Sequence, residues 1–306
     1  MRIVSDNLEE IDDIKVSVAL GTFDGLHIGH REIINLAKKY SANIPVMVYA
    51  FENIPASYFG SKEKAILSYQ EKLMVMSTLD IDFLTMIKFD EKIVNMPPRD
   101  FLDYLNYEID AEVISCGFNY TFGKNAEGDS EFLRTYCKDH GLICSIAPPV
   151  LYEGEYVSST RIRKALSNGD IKAANAMLSY EYFILGTVVE GKRLGNSIGF
   201  PTANIKFPDE KLVPKFGVYA TRTVIDGKEF PSITNIGVRP TVENTHIANA
   251  ETFIIGFDSD IYNKEIKVCF INYMRPEKKF SSVEELKNQL LFDREIALQT
   301  YFSMLE

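Results

Sequence analysis

The sequence predicts two folding units: an α/β unit, with a parallel sheet flanked by helices, followed by a small closed β-barrel that ends in a helix. Two observations predict this. Before Tyr180, apolar and β-branched runs alternate with segments of helical spacing, the rhythm of strand and crossover helix. After it, short strand-like runs separated by Gly, Pro, Asn and Asp turns take over. A length of 306 residues suits two units of roughly 150 residues each, and 46% apolar with 12% aromatic content supplies both with cores and argues against disorder. The boundary is placed at Ser179 to Phe183, dividing the chain into 1–180 and 181–306.

In order along the first unit, Lys15 to Leu20 reads as a buried strand. Arg31 to Tyr40, with Ile33, Ile34 and Ala37 at helical spacing, reads as the helix that follows. Ile44 to Phe51 and Glu112 to Cys116 are further strands, Tyr69 to Thr78 and Pro98 to Tyr107 are helices, and Lys164 to Leu178 is a helical run. Doubly wound sheets collect ligands at the carboxyl ends of their strands, so GTFDGLHIGH (21–30), FENIP (51–55) and GFNYTFG (117–123) should converge on one site. In the second unit, Phe183 to Val189, Gly217 to Val224, Glu251 to Phe257 and Ile266 to Tyr273 read as strands, with IDGK (225–228) as a hairpin turn. Ser281 and Glu284 read as a capping box opening a last helix that carries Val283, Leu286 and Leu290.

Residues 21–30 carry the strongest chemical signal. Gly21, Gly25 and Gly29 allow a tight turn and close ligand approach, and a helix beginning near His27 or Gly29 aims free N–H groups and its positive dipole end at an anion. His27 and His30 lie on one side of a helical turn and can both donate to one polyphosphate; their spacing equally suits half a metal site or ordinary cap residues. Residues 117–129 form a second constellation, with Phe118, Tyr120 and Phe122 beside Asn119 and Lys124, and alone they read as a surface loop whose aromatics plug the sheet edge. SSTRIR (158–163) either caps a helix through Ser158 or Ser159 or forms an anion site in which Arg163 forks onto a phosphate. In GKRLGNSIGFPTAN (191–204), Gly191, Gly195 and Gly199 support a turn-rich loop, whereas Thr202 and Asn204 project oxygens to one face, able to hold Mg²⁺ and phosphate oxygens.

These strings carry a family resemblance. GTFDGLHIGH resembles the HxGH signature of the nucleotidylyltransferase superfamily, in the GxFDGxHxGH form of prokaryotic bifunctional riboflavin kinase/FMN adenylyltransferases, the FAD synthetases. SSTRIR is similar to the ISSTxIR motif that accompanies HxGH, and GFPTAN to the PTAN motif of riboflavin kinases, with GVYA (217–220), NIGVRPT (235–241) and RPEKKF (275–280) also similar. The resemblance spans nearly the whole chain. It implies a Rossmann-like nucleotidylyltransferase domain followed by a riboflavin-kinase-like barrel. The activities implied are ATP-dependent phosphorylation of riboflavin to FMN, then adenylyl transfer from ATP to FMN giving FAD and pyrophosphate, with Mg²⁺ accompanying ATP.

On that match His27, His30 and Arg163 neutralise phosphate charge, while Gly21, Phe23, Asp24, Gly29, Ser159 and Thr160 hold ATP. Phe118, Asn119, Tyr120 and Phe122 hold a flavin or adenine ring. In the second unit the match makes Gly191, Gly199, Thr202 and Asn204 the ATP and metal residues, Arg275 a flavin residue and Glu251 the base, with Glu243 the competing carboxylate. Two positions depart from the family pattern, Asn196 for a basic residue and Phe253 for a histidine, both beside the kinase chemistry.

Composition narrows the remaining classes. A net charge of −10 and a pI near 5.1 argue against a broad nucleic-acid-binding face and an electrostatic membrane anchor. Cys116, Cys137, Cys144 and Cys269 show no CxxC or zinc spacing and read as reduced core thiols. The first residues lack the apolar run of a signal peptide, and no stretch approaches the roughly 20 residues needed to span a bilayer. The expectation is a cytoplasmic enzyme acting on ATP, riboflavin and FMN, without nucleic-acid or membrane partners and with no oligomeric state specified. Two alternatives stand beside it: an FMN adenylyltransferase whose kinase domain is inactive, and a flavin-binding regulatory protein.

Overall fold

A computed structural model describes residues 1–4, 14–40, 44–190, 199–240 and 246–305. The chain divides into two compact units, Met1–Ser159 and Thr160–Glu306.

The first unit is an all-parallel six-stranded sheet in the order β1-β4-β3-β2-β5-β6. Its strands are β1 (Arg2–Ile3), β2 (Val16–Leu20), β3 (Val46–Phe51), β4 (Phe83–Ile87), β5 (Ala111–Gly117) and β6 (Ile143–Ala147). Helices α1 (Ile28–Tyr40), α2 (Pro55–Tyr58), α3 (Tyr69–Met76), α4 (Glu91–Val94), α5 (Pro98–Tyr107) and α6 (Ser130–His140) connect them, and β7 (Leu151–Tyr152) pairs with β8 (Glu155–Tyr156) in a small hairpin. Every residue of β2 and β3 is buried, as expected of strands covered on both faces, and this is why their sequences run apolar instead of alternating. Val18, Leu20, Met47, Tyr49 and Ile114 pack with Phe101, Leu102 and Leu105 of α5 and Leu133 of α6 in one core. The chain winds from β2 toward β3 on one side and later lays β5 on the other, so the order reverses at β2. At such a switch point the carboxyl ends of β2 and β5 leave a crevice, and residues 21 and 117 stand at its two lips.

The second unit holds α7 (Ser159–Asn168), whose first residue closes the first unit, α8 (Ile171–Leu178) and a six-stranded antiparallel sheet ordered β10-β13-β12-β11-β14-β9. These are β9 (Phe183–Thr187), β10 (Thr202–Lys206), β11 (Gly217–Ile225), β12 (Lys228–Pro240), β13 (His246–Ile254) and β14 (Glu265–Arg275), with α9 (Val283–Phe302) last. A bridge between Val189 and Asn204 brings the two sheet edges together and nearly closes the barrel. The interior face carries Ile205, Tyr219, Ile236 and Phe270, all fully buried. It also carries a hydroxyl chain in which Thr221 bonds Ser232 and Thr234 at 2.8 Å and Thr234 bonds Thr252 at 2.9 Å. Each buried hydroxyl therefore has a partner, which removes the cost of placing polar groups inside a barrel. On the other face Val218, Ala220 and Ile233 pack against Ala297 of α9.

Local chemistry explains most element ends. The IDGK turn forms as expected: Ile225 pairs with Lys228, and Asp226 (φ +48°) and Gly227 (φ +76°) take the left-handed conformation that matches strand twist. The helical run 164–178 is two helices. Gly169 (φ +81°) ends α7 in the left-handed region, and Asp170 accepts the Ala173 amide at 3.1 Å to start α8. The last helix is capped one residue later than expected. Ser282 accepts from the Glu285 amide, while the Glu285 carboxylate takes the Ser281 amide and hydroxyl.

Candidate active sites

Between β2 and α1 the backbone turns sharply. Gly25 (φ +80°) takes the left-handed region without penalty, but Phe23 (φ +51°) and Leu26 (φ +45°) adopt it too, and a non-glycine residue there is strained unless its surroundings hold it. Both side chains are fully buried, so packing holds the turn. His27 stands at the N-cap of α1, where its Nδ1 accepts the His30 amide at 3.3 Å. That contact satisfies one free helix N–H and leaves the ring proton of neutral His27 on Nε2. The His30 ring stacks on His27 with 3.6 Å between centroids and meets the Phe23 ring edge-on at 5.3 Å, and its Nδ1 is buried without a hydrogen-bond partner. A Cβ on Gly29 would come within 3.2 Å of the His27 ring, so the small residue between the histidines permits the stack.

Burial pushes the pKa of His27 down to about 4, and burial together with the nearby His27 and Lys72 charges pushes His30 well below the usual histidine range. At neutral pH both rings are therefore uncharged. The turn offers an anion neutral N–H donors at a helix N-terminus, in a desolvated place where such dipoles act strongly.

Asp24 is a pin of this turn: its Oδ1 accepts the Ile66 amide at 2.9 Å, and its carbonyl accepts the Ser159 hydroxyl at 2.9 Å. Ser159, the last residue of the first unit, is thus tied to the residues preceding the histidines. Thr160 and the half-buried Arg163 follow on α7, within the second unit. Gly21 is buried at the head of the turn, under the Phe23 ring. At the other lip of the crevice the aromatics are graded by depth. Phe122 is only 7% exposed and joins the core, Tyr120 stacks on it at 5.8 Å, and Phe118 and Asn119 are exposed, Phe118 lying 5.7 Å from Tyr156.

Register builds the second site. On β10 and β13, Thr202 lies opposite Phe253 and Asn204 opposite Glu251, while on β12 Ile233 and Asn235 face Phe253 and Glu251 in turn. Directly opposed residues share a face, so these side chains stand on the face that α9 packs. A cavity of ≈ 240 Å³ there is lined by Thr202, Asn235, Glu251, Phe253, Arg275 and Glu277, among others. Asn204 Oδ1 accepts from Asn249 Nδ2 at 3.0 Å, and Glu277 accepts from Asn235 Nδ2 at 3.0 Å. The amide oxygens of the two donors, Oδ1 of Asn235 and of Asn249, are buried and without a hydrogen-bond partner. Phe253, where a histidine is expected, packs on Phe200 at 4.8 Å. The Arg275 guanidinium is held by the buried Asp293 of α9 through three contacts of 2.6–3.2 Å, with Gln289 donating to the same carboxylate at 2.9 Å. Gly199 (φ +84°) enters this segment in a left-handed turn. Gly191, Gly195, Asn196 and Glu243 lie outside the described residues.

Four residues of these sites received no role from the sequence. Asn235 and Glu277 sit inside strings with family resemblance, NIGVRPT and RPEKKF, yet only strand register sets Asn235 opposite Glu251, and only a hydrogen bond sets Glu277 on Asn235. Asp293 is a charged helix residue of a type usually exposed, and its 1% exposure and ion pair with Arg275 come from tertiary packing. Lys72 was hidden likewise. The signal that could have found it is the Ser68/Glu71 capping box, which starts α3 and places the next residue on the buried side.

A parallel-sheet unit whose strand-to-helix turn presents buried N–H donors, together with an antiparallel barrel with a carboxylate facing a pocket, defines a two-domain nucleotide-dependent transferase. Residues 9–161 match the FAD synthetase family and residues 178–301 the riboflavin kinase family. The chain is 32% identical over 97% of its length, and 96% of the other's, to a bifunctional riboflavin kinase/FMN adenylyltransferase of Listeria monocytogenes. With one of Bacillus subtilis it shares 30% identity over 96% of this chain and 95% of that one. The chain belongs to the bifunctional riboflavin kinase/FMN adenylyltransferase family. A crystal structure described as a macrolide-efflux protein from Streptococcus pneumoniae superimposes with a TM-score of 0.88 at 29% identity, covering 96% of this chain and 98% of that one. Among the described residues no helix is long and apolar enough to cross a membrane.

Proposed function

We propose that the barrel phosphorylates the 5′-hydroxyl of riboflavin from ATP, and that the parallel-sheet unit joins the resulting FMN to AMP from a second ATP, releasing pyrophosphate. The observation that carries this is the joint presence of the neutral histidine turn and the Glu251 face on one chain whose two halves match the two enzyme families. Functionally the halves divide as 1–180 and 181–306, which assigns the SSTRIR helix to adenylyl transfer.

In the kinase half the hydroxyl proton needs an acceptor, and Glu251 is the carboxylate that strand register sets directly opposite Asn204, two residues from Thr202, on the pocket face. Mg²⁺ accompanies ATP in this reading. Among the described residues no three His, Cys, Asp or Glu cluster to bind a metal on their own. The donors present are neutral amide and hydroxyl oxygens with the carboxylates of Glu251 and Glu277, and the orphaned Oδ1 of Asn249 lies next to Asn204. That set fits a hard cation whose remaining ligands are substrate phosphates and water, so Thr202 and Asn204 would hold it. When bound, the ion neutralises phosphate charge during transfer. Gly199, in its left-handed turn, lets the backbone approach ATP, the family resemblance assigns Gly191 to ATP as well, and Arg275, fixed by Asp293, borders the flavin.

In the adenylyl half the FMN phosphate is itself the nucleophile, so the protein supplies position and charge stabilisation without a covalent step. His27 donates through Nε2 and His30 through the ring beside it; Arg163, Ser159 and Thr160 take the β- and γ-phosphates; Gly21, Phe23, Asp24 and Gly29 shape the ATP turn. Asn119, Phe118 and Tyr120 hold the flat ring, with Phe122 as the backing of Tyr120. The four free cysteines and acidic balance support a cytoplasmic setting. Chromatography of products from riboflavin, ATP and Mg²⁺ tests the reading. FAD with transient FMN is expected, whereas no FMN from riboflavin would leave only the adenylyltransferase, and no turnover of riboflavin or FMN would leave a flavin-binding protein.

A further inference from the structure

Lys72 is a cation buried beneath the histidine turn. It lies one residue past the Ser68/Glu71 capping box, in which the Glu71 amide donates to Ser68 Oγ at 3.4 Å and the Ser68 amide to the Glu71 carboxylate at 2.8 Å. This box fixes the first turn of α3, so the Lys72 stem runs inward and leaves the residue 5% exposed. Its ammonium donates to the carbonyl of Thr22, just past β2, and to the carbonyl of Phe51, the last residue of β3, both at 2.7 Å. One side chain thereby ties the carboxyl ends of two neighbouring strands at the root of the phosphate-binding turn. A single buried ammonium holding two carbonyls is a costly arrangement for a tie that a neutral side chain could make.

We infer that Lys72 is a positioning residue for adenylyl transfer, a fixed buried cation that holds the 22–27 turn in its anion-receiving shape. The inference rests on the first unit being the adenylyltransferase. The charged groups around Lys72 are few. Asp24, on the turn after β2, favours its protonated form; His27 and His30, at the start of α1, are neutral; Glu71, on its own helix, is engaged by the Ser68 amide. From β3 it meets the Phe51 carbonyl. Burial lowers the Lys72 pKa to about 8, with Asp24 opposing, so the ammonium is charged at neutral pH and titrates just above it. Its positive charge in turn helps hold His30 well below the usual histidine range. A polyphosphate entering the turn brings negative charge toward this cation and makes its proton harder to remove.

The test is the rate of FAD formation from FMN and Mg-ATP by the full chain across pH 6.5–9.5, in the wild type, Lys72→Met and Lys72→Arg. In the wild type kcat/KM for ATP should fall on an alkaline limb near pH 8, and the limb of kcat should lie higher because bound ATP retains the proton. Lys72→Met should lose about 10²-fold in kcat/KM, with a residual rate that is flat from neutral pH upward, while FMN formation by the same preparation stays at the wild-type rate. An active Lys72→Arg should lose the limb, since arginine stays charged throughout. A wild-type profile with no limb near pH 8 overturns the inference even if Lys72→Met fails to fold. So does Lys72→Met at the wild-type rate, or a limb that persists in either variant. No FAD from the wild type at any pH would instead refute the adenylyltransferase reading itself.

Discussion

In the parallel-sheet unit the two histidines proposed to face phosphate are presented by a strained backbone turn, and both are desolvated and uncharged. In the barrel the residues proposed to hold ATP, Thr202 and Asn204, are presented by strand register on a partly open face, and the proposed base, Glu251 opposite Asn204, is a half-buried carboxylate. The chemistry explains the contrast. An FMN phosphate attacking the ATP α-phosphorus brings its own nucleophilic oxygen, so neutral donors and a helix dipole in a dry place suffice. A riboflavin hydroxyl must give up a proton, so its site needs a base that water has not been stripped from entirely; full burial would raise a carboxyl group's pKa.

The sharpest way to break this contrast is Glu251→Gln. It should cut FMN formation from riboflavin by roughly 10²- to 10⁴-fold while FAD formation from supplied FMN stays within about twofold, measured by product chromatography. Equal loss of both would mean that the halves do not divide the work. Next in size is Asp293→Ala. Removing one partner of the Arg275 pair, 1% and 20% exposed in its two side chains, should destabilise the chain by about 2–3 kcal/mol in urea unfolding and raise the KM for riboflavin. An unchanged riboflavin KM would remove Arg275 from the flavin site.

A pH experiment sharpens the other half. His27 ionises at about 4 in the folded chain and at about 6.5 when unfolded, so between those values the unfolded chain binds more protons. Stability contributed by neutral His27 should therefore be complete above pH 6.5 and fall as pH drops toward 4, by on the order of 3 kcal/mol. Thermal unfolding should show that slope, and His27→Gln should flatten it. The smallest effect expected is that of Phe253→His. The ring contact with Phe200 is worth about 1 kcal/mol, so FMN formation should change by no more than roughly fivefold; a much larger gain would show that Phe253 limits the kinase.

How much was legible in the sequence differs between the two regions for the same reason. The turn at 21–30 is local, so its glycines and histidines could be read as one phosphate-binding unit, although the left-handed Phe23 and Leu26 were invisible because nothing in their side chains announces a positive φ. The barrel site is assembled across strands. Thr202 and Asn204 could be paired by their spacing of two, but the placement of Asn235 opposite Glu251 depends on a register that no short string encodes. β12 carries Pro231 and Gly237, residues that weaken a strand pattern, within a run of 13 residues. Lys72 and Asp293 escaped because a charged residue is exposed by default, and only tertiary packing buries these two.

The central claim is that adenylyl transfer depends on the histidine turn and that phosphorylation does not. His30→Ala, given riboflavin, ATP and Mg²⁺, tests it most directly by chromatography of the products. FMN should accumulate at the wild-type rate while FAD formation falls by about 10²- to 10³-fold. Parallel loss of FMN and FAD, or FAD at the wild-type rate, would contradict it.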